Sequence, residues 1–251
     1  MKSATKVMVA TLGTLAGLAG IEHGVGEVLQ GNVTPAGLSI VAWPGVEPFQ
    51  VLSGEPAMTV VPSLLVTGIL AILVSLVYIL WATALAERKH SAPVMILLSI
   101  VMLLTGAGFG SALLGLIVGI TATRINAPLA WWRARPADLR RLLARSWPLL
   151  YVACLASWLL LLPGSVILAC IFGVDVVSYA VVVFILAAFG FMAMAYLAGF
   201  ARDSLRLAAA DSEAGAGRAA QSSSDRNGCD NRNGCDNRNG CIGEAGNTAI
   251  N

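Results

Sequence analysis

Four stretches of this chain carry no charged side chain: 62–86, 91–123, 146–174 and 176–201. Each exceeds the roughly 20 apolar residues that a helix needs to cross a bilayer. Lipid offers the backbone no hydrogen-bond partners, so a spanning segment must satisfy its own N–H and C=O groups as a helix. The strict alternation of an outer-membrane strand is absent from these runs. The chain is 57% hydrophobic and 12% charged, whereas soluble domains run at about 45–50% and about 25%. An ordinary soluble domain is excluded. The expected fold is an all-α, polytopic transmembrane helix bundle whose first partner is the lipid bilayer.

The first candidate span, 7–29, follows a short basic start with Lys2 and Lys6. It reads either as an uncleaved helix or as a signal peptide with a small-residue site at Leu18-Ala19-Gly20. The helical apolar pattern continues through Ile21, Val25, Val28 and Leu29, which favours the uncleaved helix. A loop with many Pro and Gly turn signals follows to Val61; it contains Glu47 and Glu55 and no Lys or Arg. Further spans are expected at 62–86, 147–172 and 176–201, with a kink at Pro163-Gly164.

The stretch 91–123 would be about 48 Å long as one helix at 1.5 Å per residue, against a hydrocarbon core of about 30 Å. Arg88 and Lys89 precede it, and Arg124, Arg133, Arg135, Arg140, Arg141 and Arg145 follow it. Cytoplasmic loops are rich in Lys and Arg. A single crossing would put these two clusters on opposite sides. Gly106, Gly108 and Gly110 stand in its middle, where they suit a turn better than a helix. The stretch is therefore expected to break into short arms at 92–106 and 110–124, forming either two thin crossings or a re-entrant hairpin. All 16 Lys and Arg then lie on the cytoplasmic side with both termini, and Glu22, Glu27, Glu47, Glu55 and Asp175 lie opposite. The alternative is one crossing whose glycines serve close helix packing.

Between the arms and the last pair of spans, Leu139, Leu142, Leu143 and Ser146 share one helical face, and Arg140, Arg141 and Arg145 share the other. With Trp131, Trp132 and Trp147 alongside, Arg133–Arg145 is expected to form an interfacial amphipathic helix against anionic lipid. Charges held this close to the membrane speak against a nucleic-acid partner. Residues 1–203 thus form the membrane domain. Residues 204–251 read as a disordered, low-complexity cytoplasmic tail, with Arg-Asn-Gly-Cys-Asp-Asn repeated from Arg226. Its cysteines, Cys229, Cys235 and Cys241, are six residues apart, which is not a zinc spacing. Cys154 and Cys170 read as core residues.

Ionisable groups at membrane depth are functional candidates by default. The one such group of residues is Glu22, His23, Glu27 and Gln30, at the end of the first span. On a helix, His23 and Glu27 share a face at i, i+4 spacing. Carboxylates and an imidazole can hold a metal or pass a proton. As a metal motif, His23 and Glu27 lack a visible third ligand; Glu47, Glu55 and His90 are the available partners, with His90 expected on the wrong side. A polar helix end without further role explains the same residues.

The run Ala19–Gly31, Ala-Gly-Ile-Glu-His-Gly-Val-Gly-Glu-Val-Leu-Gln-Gly, resembles a segment in an uncharacterised group of prokaryotic multi-pass membrane proteins. The likeness extends over about residues 15–125. It implies a membrane fold and location and no particular chemistry. Three functions are compatible with the residues: small-molecule or ion transport, a structural or partner-binding subunit, and a membrane-embedded enzyme using Glu22, His23 and Glu27. The scarcity of acid/base groups in the spans places the non-enzyme readings first. No pattern assigns a cofactor, a catalytic residue or an oligomeric state.

Overall fold

The computed structural model describes residues 3–230 apart from 126 and 128. Residues through Arg206 form one compact unit, and those from Leu207 onward form a second. The described chain is overwhelmingly helical: α1 (Ala4–Leu29), α2 (Leu64–Leu80), α3 (Ser91–Leu104), α4 (Phe109–Ala122), α5 (Ala130–Arg133), α6 (Ala137–Leu159), α7 (Ser165–Phe172) and α8 (Val174–Asp230). Four stretches are long and apolar enough to cross a membrane: Ala4–Leu29, Leu64–Leu85, Ala137–Phe172 and Val174–Arg218. Helices α3 and α4 are shorter, at 14 residues each.

Helices α1, α2 and α4 pack closely, with α3 against α4. Small residues allow it. A Cβ on Gly24 would lie 2.7 Å from the Gly68 carbonyl oxygen of α2, and one on Gly68 would meet the Gly24 carbonyl in return. Side chains cannot intervene there, so the two backbones touch, the usual device for helix association in lipid. Met8, Val9, Leu12, Tyr78, Met95, Met102, Leu114 and Val118 fill the core.

Two ends of this unit are distinguished by their contacts. At one end the Lys6 ammonium pairs with Glu87 at 2.8 Å. There the Asp203 carboxylate also caps α1, accepting hydrogen bonds from the Ala4 and Thr5 amides and from the Ser3 and Thr5 hydroxyls. At the other end the loop after α1 forms a small antiparallel ribbon, β1 (Ser39–Val41) with β2 (Pro56–Met58), around a 3₁₀ turn at Glu47–Leu52. The turn joining α3 to α4 docks on that ribbon. The Gly106 amide donates to the Met58 carbonyl at 2.9 Å, and the Val60 amide donates to the Leu104 carbonyl at 3.1 Å. The helix break at Thr105–Gly108 therefore lies beside the loop that follows α1. Gly106 and Gly108 each have φ of +86° there, a conformation that glycine adopts without steric cost.

Several expectations need correction. The basic amphipathic stretch is not a separate helix: Leu139–Ser146 forms the first turns of α6, which runs on without interruption through Pro148. Pro148 costs one backbone bond without ending the helix. The kink expected at Pro163 is a π-helical turn, Leu160–Gly164, which joins α6 to α7. Cys154 is buried as expected, but Cys170 is exposed on α7. Helix α8 runs on past residue 204, where the tail was expected to begin, to Asp230. Ala-rich segments such as Leu207–Ala210 have high helix propensity despite their polar surroundings. The repeats beyond Asp230 lie outside the described residues.

Candidate functional site

The last two turns of α1 carry Glu22, His23 and Glu27 into the end of the bundle that the loop covers. Packing of α1 on α2 through Gly24 and Gly68 fixes the height of these side chains. His23 and Glu27 point into the protein, at 6% and 0% exposure, against the α3–α4 turn. The glycines of that turn make the room: a Cβ on Gly108 would overlap the His23 ring, and one on Gly106 would overlap the Glu27 carboxylate. Gly110 has open space beside it and belongs to the first turn of α4.

The loop supplies a residue that spacing along α1 could not reveal. Ser53, Gly54 and Glu55 all have positive φ, of +56°, +70° and +58°. This sharp reversal swings Glu55 inward beneath the ribbon. Its backbone is held there by the Ala42 amide, which donates to the Glu55 carbonyl at 3.1 Å. Glu55 is 7% exposed. Its Oε2 has no hydrogen-bond partner among the described residues and stands 3.5 Å from Nδ1 of His23. On the other side of the same nitrogen, Oε2 of Glu22 stands at 3.2 Å. Donor atoms of Glu22, His23 and Glu55 all lie within 4.8 Å of one another.

Each member is positioned by its surroundings. The His23 Nδ1 also faces the Ala19 carbonyl at 3.0 Å. The Trp43 indole N–H donates to Oε1 of Glu22, and Trp43 stacks on Phe49 with ring centres 4.6 Å apart. Burial pushes the Glu55 carboxyl up from 4.5 to about 9, and the hydrogen bond and charge of the neighbouring Glu22 add to the effect. Glu55 thus holds a proton at neutral pH next to the Glu22 carboxylate.

The spacing along α1 pairs His23 with Glu27; the structure separates them. Glu27 is not part of the three-residue group. It sits deeper, both carboxylate oxygens without a hydrogen-bond partner among the described residues. Gln30 is a structural brace: its amide donates to the carbonyls of Gly26, Val41 and Ala42 and ties β1 to α1. His90 and Glu47 do not join the group.

A cavity of about 390 Å³ adjoins the cluster. Glu22, His23 and Glu55 form its only ionisable wall; the rest is apolar, from Leu15 and Leu18 of α1, Phe49 of the loop, and Leu162 and Val166 across from them. Its volume falls in the range of about 300–1,000 Å³ usual for small-molecule sites.

Compared with known proteins, the chain matches no family model, no curated protein and no solved structure.

Proposed function

We propose that this chain is a multi-pass membrane protein that binds a divalent metal ion of the zinc class through Glu22, His23 and Glu55, with an open coordination position toward the adjoining cavity. The observation that carries this reading is the spacing of the donor atoms, 3.2 and 3.5 Å from the His23 nitrogen to the two carboxylates. Ligands about 2.0–2.2 Å from a tetrahedral zinc ion stand about 3.3 Å apart, close to these two spacings; to coordinate, Nδ1 of His23 would exchange its contact with the Ala19 carbonyl for the ion. The unpartnered, buried Oε2 of Glu55 is the group that such an ion would satisfy. Binding requires the ligands to be deprotonated, so the ion would displace the proton that Glu55 holds.

Three protein ligands with a fourth position open is the pattern of catalytic rather than structural zinc. An ion-transport route would be lined by polar groups, and the cavity beside this cluster is apolar apart from the cluster itself. The geometry therefore favours the membrane-embedded metal enzyme over the transporter. A structural subunit needs no such convergence of two carboxylates and an imidazole beside a cavity.

Membrane placement follows from the charges. Lys6, Glu87, Arg88, Lys89 and Arg202 gather at the end where Asp203 caps α1, and the positive-inside rule makes that the cytoplasmic end. The ribbon, the α3–α4 turn and the metal ligands are then at the outer end. Helices α3 and α4 form a hairpin of arms about 21 Å long, either as two thin crossings or as a re-entrant pair. The basic face of α6, with Arg141 and Arg145 exposed, lies at the inner headgroups, where anionic lipid would meet it. Both termini are cytoplasmic in this arrangement, and reporters fused after Lys89 and after Arg124 should report the same side.

The direct test is calorimetric titration of the detergent-solubilised, chelator-stripped protein with Zn²⁺. One equivalent is expected. His23→Ala and Glu55→Gln should each weaken binding beyond the about 10–100-fold typical of outer-shell changes, and His90→Ala should leave it unchanged. Folded wild-type protein that takes up no Zn²⁺ overturns the proposal.

A further inference from the structure

Two kinds of residue line the cavity. One is the cluster of Glu22, His23 and Glu55. The other is apolar and includes Leu18, Leu159 and Ile167, which are 53%, 51% and 57% exposed on helices that face lipid in the proposed arrangement. Between Leu15 and Glu22 it follows α1 for seven residues, about 10 Å at 1.5 Å per residue. Its opposite wall comes from the region of the π-helical turn, with Pro163 and Val166 among the lining residues.

From this we infer that the site takes an amphiphile: a molecule with one acyl chain lying along α1 in the cavity and an oxygen-bearing head, such as a carboxylate, set against Glu22, His23 and Glu55. The inference rests on the metal reading for how the head is held. Without an ion the Glu22 carboxylate would repel an anionic head, whereas a dication held by Glu22 and by Glu55 after loss of its proton leaves the centre neutral and offers the head its open position. The chain end follows from solvent chemistry. A polar or water-borne substrate would lose hydrogen bonds on entering walls made of Leu, Phe and Val. An acyl chain loses nothing there and reaches the cavity from the bilayer without crossing water.

The energetics assign different jobs to the two ends. Lipid tails are as apolar as leucine side chains, so moving a chain from bilayer to cavity yields little free energy. Chain shape therefore selects, and the head at the cluster holds. Ordinary bilayer lipid filling the space would show no such dependence on the head.

The test uses palmitic acid with a mid-chain diazirine as probe, on full-length protein in nanodiscs, with the labelled peptides read by mass spectrometry. Label concentrated on 159–167 and 15–23 is expected with Zn²⁺ present. Val166→Trp, which fills the cavity, should reduce that label at least tenfold while calorimetric Zn²⁺ binding persists; Leu162→Trp serves if Val166→Trp fails to fold. Leu73→Trp, on an exposed position of α2, should change neither. Removal of Zn²⁺ with chelator should lower the label in the wild type. Label spread evenly over the lipid-facing helices, or unaffected by both cavity-filling variants, overturns the inference even if Zn²⁺ binds. Concentrated label that Val166→Trp abolishes, in a protein that binds no Zn²⁺, upholds the chain site and rejects the metal centre instead.

Discussion

The ring of His23 occupies the space that a side chain on Gly108 would need. This contact joins the end of α1 to the α3–α4 turn. The same turn leaves Gly106 bare against Glu27. Two sequence features far apart in the chain, an acidic-histidine helix end and a glycine-rich break, are thus two halves of one packing solution.

That relationship makes the glycines unequal. Gly108→Ala would force a Cβ into the imidazole at a φ of +86°. The backbone strain alone costs about 1–3 kcal/mol, and displacement of His23 should weaken Zn²⁺ binding as well. Gly110→Ala meets open space in the first turn of α4 and should be neutral or stabilising by up to about 1 kcal/mol. Thermal unfolding and Zn²⁺ titration of the two variants check this. Equal effects at the two positions would contradict it.

Glu27 is fully buried and has no hydrogen-bond partner among the described residues. An ionised carboxylate without a counter-charge is the costliest occupant such a site can have. Glu27→Gln keeps the shape and cannot ionise, so it should be no less stable than the wild type and leave Zn²⁺ binding intact. Glu27→Lys should prevent folding, as seen by loss of a monodisperse peak in detergent chromatography. A large loss of Zn²⁺ affinity in Glu27→Gln would place Glu27 among the ligands and contradict the assignment.

The raised carboxyl of Glu55 contributes to the pH dependence of the metal-free protein. Its folded-state value is about 9 and its ordinary value 4.5. Between these values the folded chain holds a proton that the unfolded chain has lost. Stability therefore falls as pH rises through this window, and the contribution levels off above about pH 9. Glu55→Gln should flatten this part of the profile. Unfolding midpoints from pH 5 to pH 9 with chelator present would reveal it. A wild-type profile that rises with pH, with the Gln variant parallel to it, would count against the buried, protonated state.

At the opposite end, Asp203 accepts four hydrogen bonds from the first turn of α1 while only 7% exposed. Asp203→Ala leaves buried amides without a partner and should destabilise by roughly 2–4 kcal/mol. Since the contact lies at the other end of α1 from His23, Zn²⁺ affinity of the folded fraction should not change. A lowered unfolding midpoint with unaltered titration is the expected pair of results.

Much of this was legible in the residues, and the misses have physical causes. Uncharged length fixes membrane helices because bilayer energetics leave few alternatives. The break near Gly106 was legible from two independent signals, the glycines and the placement of Arg88, Lys89 and Arg124. The helix end carrying Glu22 and His23 stood out because charge at that depth is expensive. Glu55 did not stand out. Its place in the cluster depends on three consecutive positive-φ residues and on a ribbon only three residues per strand, features with no periodicity. The Ser53-Gly54-Glu55-Pro56 turn signal was visible, but its direction was not. For α6, the leucine and arginine positions of its first turns were readable, whereas its continuity through Pro148 was not.

The most direct test of the central claim must place the ion as well as count it, because Cys154, Cys170 and the cysteines of the repeat segment are also potential zinc donors. Anomalous diffraction at the zinc edge from Zn²⁺-loaded crystals does both. The account predicts one strong peak within bonding distance of His23 Nδ1 and of carboxylate oxygens of Glu22 and Glu55. A well-ordered site without that peak, or zinc found only on cysteine sulfur, would contradict it.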